Sequence, residues 1–95
     1  MTGKQRSYLK SLANTLRPQL QIGKGGLTDE VFEQLEVLLE HEELVKLTVL
    51  QNSPVEAKEI VEEVLSRTGA EFVSQLGKKL TIYRPSEEEP TIVLP

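Results

Sequence analysis

Four residues, Gly23-Lys24-Gly25-Gly26, place three glycines and a cation in a segment the length of one turn. Glycine has no Cβ and reaches positive φ, so another molecule's backbone can come close to such a segment. Successive amides in it can form an anion-binding nest. A helix starting behind it adds the positive end of its dipole, and Lys24 adds a mobile ammonium. The spacing Gly-X-X-Gly between a strand and a helix is how KH-type modules clamp a nucleic-acid backbone. The glycines by themselves are better explained by a tight strand-to-helix turn. The lysine among them, and the acid-free segment before them, shift the reading to anion binding.

That segment is cationic on its N-terminal side. Residues 1–26 carry Lys4, Arg6, Lys10, Arg17 and Lys24 and no acid, whereas residues 27–95 hold six bases and all fifteen acids. Affinity for a polyanion follows the local density of Lys and Arg at the contact, not the net charge, which is −4 here. A polarised small domain can hold phosphate with one end and stay soluble with the other. Three of the acids, Glu87, Glu88 and Glu89, cluster in a Pro-flanked tail.

Composition removes most other chemistry. There is no Cys, one His (His41) and one Asp (Asp29). Disulfides, thiolate metal sites, a Cys nucleophile and a His-rich metal site are excluded, and a His-based triad is nearly so. No carboxylate pair has an evident acid–base role. The glycine segment is not a nucleoside-triphosphate loop, because Gly-X4-Gly-Lys-Ser/Thr is missing. Nor is it a dinucleotide fingerprint, because no Gly-X-Gly-X-X-Gly follows Ile22. We expect no enzyme, no cofactor and no metal. No apolar run approaches the roughly 18 residues of a membrane helix, and the first residues lack a signal-peptide core. The expected setting is cytoplasmic and monomeric, with one domain and one modest core.

The elements that must position these groups are legible from periodicity. Leu9, Leu12, Ala13 and Leu16 make one helical stripe between Thr2 and Leu16, and Pro18 ends that helix. Leu20 to Ile22 is a short strand. Thr28 is placed as the N-cap of a second helix, with Asp29 and Glu30 in its first turn and Val31, Leu35, Leu38 and Leu39 on its buried face beside Phe32. Leu44 to Leu50 reads as a strand with Val45, Leu47 and Val49 facing one way. Ser53-Pro54-Val55-Glu56 reads as a capping box opening a third helix, which buries Ala57, Ile60, Val61, Val64 and Leu65 and ends at a left-handed Gly69. Glu71 to Leu76 and Lys79 to Arg84 are strands joined by Gly77-Lys78, the spacing of a type II′ hairpin.

The order α-β-α-β-α-β-β predicts an α/β fold with three helices and a four-stranded mixed sheet. Two strand–helix–strand units imply parallel neighbours with right-handed crossovers, and the hairpin adds an antiparallel strand. Lys46 and Thr48 alternate out of one strand and Lys79, Thr81 and Tyr83 out of another, so one sheet face is wet or partly covered, with the helices mainly on the other. Residues 1–85 form the domain; 86–95 are an irregular tail, of which Thr91 to Leu94 could dock on the body.

In sequence order, Lys4-X-Arg6-X-Tyr8-Leu9, Leu12-Ala13, Arg17-Pro18, Ile22 to Thr28, His41 to Lys46, Gly77 to Leu80 and Tyr83-Arg84-Pro85 resemble the CRM domain (chloroplast RNA splicing and ribosome maturation) in its stand-alone bacterial, YhbY-like form. The likeness spans nearly the whole chain. It implies a fold similar to the C-terminal domain of translation initiation factor three, and an RNA-binding, non-enzymatic factor that associates with precursors of the large ribosomal subunit. It also assigns the loop at Gly23 to Gly26 to RNA contact. The acidic tail departs from the resemblance, which would have a more basic stretch there.

The expected RNA contacts are Gly23, Lys24, Gly25 and Gly26 with Lys4, Arg6, Lys10 and Arg17. Phosphate should lie over the loop itself, because Asp29 and Glu30 would compete with an anion seated deeper. Lys78 and Lys79 join the contact set if the hairpin lies near the loop, and Lys46 either lines the RNA surface or keeps its strand face soluble. Tyr8 and Tyr83 fit core or edge packing better than base stacking. Glu33, Glu36, Glu40, Glu42 and Glu43 read as a solvated face. The competing reading is a protein-interaction module whose acidic helix face or tail docks a ribosomal protein.

Overall fold

The structure, a computed structural model, describes residues 1–95. Gly3–Ala13 form α1, opened by a reciprocal cap: the Thr2 hydroxyl accepts from the Gln5 N–H, and the Gln5 side chain accepts from the Thr2 N–H. The helix stops at Ala13, short of the Leu16 its apolar spacing reaches. There the Lys46 ammonium donates to the carbonyls of Ala13 (2.6 Å) and Leu16 (3.0 Å), drawing the chain into a turn ahead of Pro18. The chain continues through β1 (Leu20–Ile22), α2 (Asp29–Glu42) and β2 (Leu44–Val49). The Thr28 hydroxyl caps α2 by accepting from the Val31 N–H, as its position predicts.

The third helix starts later than the Ser53-Pro54-Val55-Glu56 pattern suggests. Ser53 uses its hydroxyl within its own turn, accepting from the Val55 N–H. A cap lies further on, where the Glu59 carboxylate accepts from the Glu56 N–H around a 3-10 turn at Ala57–Glu59. Only then does α3 run, Val61–Thr68, ending at Gly69 with φ 71° and ψ 11°, the left-handed cap that glycine tolerates. A hairpin of β3 (Glu71–Leu76) and β4 (Lys79–Tyr83) completes the sheet. Its turn has positive φ at Gly77 alone, as type II′ requires.

Three helices and a four-stranded mixed sheet are present, in the order β1-β2-β4-β3. β1 and β2 are parallel, whereas β4 is antiparallel to both β2 and β3. The second strand–helix–strand unit is therefore split: β4 lies between β2 and β3, which are not neighbours as the simple reading implies. Burial explains the choice. Leu80 and Ile82 of β4 are fully buried opposite Leu47 and Val45, whereas β3 ends in exposed Glu71 and Leu76 and suits an edge.

Two of the three helices share one sheet face, as expected, and α1, whose packing the sequence leaves open, lies on the other. α2 and α3 cover the face of Val45, Leu47, Leu80 and Ile82 and enclose the main core. α1 lies on the opposite face, where Leu9 and Ala13 pack on Leu44, Val73 and Tyr83. A bulge between Phe72 and Ser74 makes room for this second core by turning Val73, fully buried, towards α1. Residues 86–95 have no regular structure but are packed, with Ile92 and Leu94 against the α1 core. No helix is long and apolar enough to cross a membrane.

Candidate nucleic-acid interface

Gly23 to Gly26 form a β-turn at the end of β1, closed by the Gly26 N–H donating to the Gly23 carbonyl at 3.0 Å. Gly26 is buried, with φ 69°; a Cβ there would stand 3.1 Å from Pro54 Cγ, so the fold itself requires glycine at this position. Gly25 differs. It is exposed, and a Cβ would meet only the Thr28 methyl at an ordinary 3.7 Å. Nothing inside the protein demands glycine at 25, and its bare surface faces outward beside exposed Lys24. The amides of Lys24 and Gly25 donate to no protein group. The turn therefore presents two free N–H donors, an ammonium and room for a close approach. Asp29, just behind it, is paired with Arg67 at 3.3 Å.

The hairpin turn emerges at the same end of the sheet. Leu50 N–H donates to the Ile22 carbonyl and Val49 N–H to the Lys78 carbonyl, both at 2.8 Å, so the glycine turn and Lys78 flank the end of β2. Lys78 and Lys79 are exposed there, near the loop as the expected contact set requires. Between the hairpin and the segment after β2 lies a cleft of about 530 Å³ whose walls include Leu50, Ser53, Gln75 and Lys78.

The cations of the leader are not gathered at the turn. The amino group of Met1 pairs with Glu71, the first residue of β3, which puts Lys4 and Arg6 towards the opposite end of the sheet. Arg6 Nε donates to the Phe72 carbonyl at 3.1 Å, tying α1 to the edge strand. Arg17 is exposed in the α1–β1 connection. Lys10 faces a groove between α1 and the sheet that Lys46 and Lys79 also line. Lys46 is partly buried there, holding the end of α1, and is not a free strand-face lysine.

Periodicity missed a second polar centre. Glu43 does not belong to the solvated face of α2. It is 1% exposed, at φ 66° and ψ −49°, a strained region for a residue with a side chain. Its carboxylate accepts from the N–H groups of Ser86, Thr91 and Ile92 and from the Thr91 hydroxyl, at 2.7–2.9 Å. Burial pushes this carboxyl up, but the four hydrogen bonds together outweigh it and hold the group down at about 2. Glu40 is also lowered, first by the Ser86 hydroxyl and then by the Glu87 N–H. Arg84, beside the hairpin in sequence, is at the far end of β4, donating to Glu36 and the Thr68 carbonyl. Tyr83 packs in the α1 core, and Tyr8 is 39% exposed.

A family model for the CRS1 / YhbY (CRM) domain matches residues 1–84. The chain belongs to that family. Among CRM-domain relatives, it is 36% identical over 95 residues to "Probable RNA-binding protein YqeI" of Bacillus subtilis, covering 100% of this chain and 99% of that one. It is 36% identical over 88 residues to an RNA-binding protein of Haemophilus influenzae, covering 93% and 89%. The solution structure of a hypothetical Staphylococcus aureus protein, described as a candidate RNA-binding protein, shares 43% identity and a TM-score of 0.81 over 100% of this chain and 99% of that one. The two structures thus share one overall fold.

Proposed function

We propose that this CRM-domain protein binds RNA, and that its target is ribosomal RNA in the precursor of the large subunit, where it acts in the cytoplasm as an assembly factor. The observation that carries the reading is the glycine turn: two unpartnered amides and Lys24 around a glycine that the fold does not need. A phosphodiester seated there receives backbone hydrogen bonds and a countercharge without displacing any protein contact. The names of the relatives support RNA as the ligand class, and the resemblance to YhbY-like proteins supports the ribosomal target. Lys78 and Lys79 extend the contact from the same end of the sheet. Lys10 and Lys46 extend it along the α1 face. Lys4, Arg6 and Arg17 lie further out and add long-range attraction.

Sedimentation of a cell lysate through a sucrose gradient tests the ribosomal target. The protein should travel with precursors of the large subunit and return to the top of the gradient after ribonuclease treatment or in high salt. A protein that stays at the top while precursors are abundant contradicts this assignment. The protein-interaction alternative predicts co-purification with a ribosomal protein that survives nuclease. Against it stands the use of Glu40 and Glu43 by the chain's own tail, which ties these two carboxylates to Ser86, Glu87 and Thr91 rather than to a partner.

A further inference from the structure

We propose that the groove between the C-terminal end of α1 and the sheet is a second phosphate seat, with the hydroxyl of Thr81 at its floor and Lys10 and Lys79 on its rim; this rests on the RNA reading above. The groove has a volume of about 180 Å³. Lys10, Lys46 and Lys79 line it with Asn14, Ser74 and Thr81, and no carboxylate does. Lys10 and Lys79 are exposed, and their side chains form no ion pair or hydrogen bond.

Two details separate this groove from an ordinary basic surface. Thr81 is 2% exposed as a residue and lines this groove, and its hydroxyl makes no hydrogen bond within the protein. A hydroxyl that no protein group engages is free to donate to an acceptor oxygen entering the groove. The end of a helix would also repel an anion through its dipole. Here the Lys46 ammonium sits on the Ala13 carbonyl at that end and on the Leu16 carbonyl just beyond it, countering the end's negative charge and holding the side chain in place.

The groove and the glycine turn are connected. α1 covers only the half of its sheet face that holds Leu44, Val73 and Tyr83. The other half presents the cross-strand row Gln21, Thr48 and Lys79. Neighbouring strands lie about 4.8 Å apart, so the row spans roughly 10 Å from β1 to β4. RNA held at the turn can cross this polar strip and place a further phosphate over Thr81.

The test is RNA affinity across salt for wild type, Lys10→Ala, Lys79→Ala and Thr81→Val, with thermal melts to confirm folding, alongside NMR titration of the wild-type chain with inorganic phosphate. Each lysine variant should weaken RNA binding about three-fold and lower the magnitude of the salt slope by about 0.7. Thr81→Val should weaken binding by a similar factor with the slope unchanged, because it removes a donor and no charge. Phosphate should shift the amides of Ser74, Lys79 and Thr81 saturably. If changes at the turn weaken binding while these three variants do not, the groove is refuted and the RNA reading stands. If the wild type binds no RNA, that reading fails, and the phosphate titration alone decides the groove: no saturable shift at Ser74, Lys79 and Thr81 refutes it.

Discussion

Glu43 gives the most quantitative prediction. Its carboxyl is held at about 2 in the folded chain against 4.5 for an ordinary glutamate. A carboxylate with a depressed value stabilises the fold above its unfolded value and loses that contribution as pH falls towards its folded value. At about 1.4 kcal/mol per unit, the contribution at pH 7 is about 3 kcal/mol, and roughly 2 kcal/mol of it should be gone at pH 3. The perturbation is Glu43→Gln. The amide keeps the shape, but its NH2 end cannot accept, so either the Ser86 N–H or the donors from Thr91 and Ile92 lose their partner. The assay is urea unfolding of wild type and Glu43→Gln between pH 7 and pH 2.5. The wild type should be more stable by about 3 kcal/mol at pH 7, and the gap should shrink steadily below pH 4.5, because the other carboxylates contribute equally to both proteins. A gap that is absent at pH 7, or as wide at pH 2.5 as at pH 7, refutes the reasoning.

Other outcomes follow from the site. Gly26→Ala puts a Cβ against Pro54 at a positive φ and should destabilise the chain by about 1–3 kcal/mol in urea. Gly25→Ala should leave that midpoint unchanged, because its Cβ has space, yet weaken RNA binding by crowding the approach. Lys46→Met keeps the packed stem but releases the Ala13 and Leu16 carbonyls, which should cost about 1–3 kcal/mol and speed amide exchange in the last turn of α1.

What could be read in the sequence was local. Thr28 capping α2, Val45, Leu47 and Val49 alternating into the core, Gly69 ending α3 and Gly77 opening the hairpin each depend on contacts a few residues apart. The glycine turn was legible for the same reason. The rest depends on partners far along the chain. Alternation shows which side of β4 is buried but not which strands flank it, so its insertion between β2 and β3 could not be deduced. Lys46 looks like a strand lysine until α1, 33 residues earlier at Ala13, lays its carbonyls on it. Glu43 closes a run of acids whose others are water-facing or half-buried, and only amides 43–49 residues downstream identify it as an anchor. The division of the leader's cations between the turn, the groove and the far end of the sheet follows from where α1 packs, which its own stripe does not specify.

Binding of wild type and Lys24→Glu to large-subunit RNA fragments, measured over a salt series, tests the central claim most directly. The wild type should show log affinity falling linearly with log salt, and Lys24→Glu should bind more weakly with a slope smaller in magnitude by about 0.7–0.9. Equal affinities and equal slopes for the two proteins would mean that the glycine turn does not hold the RNA.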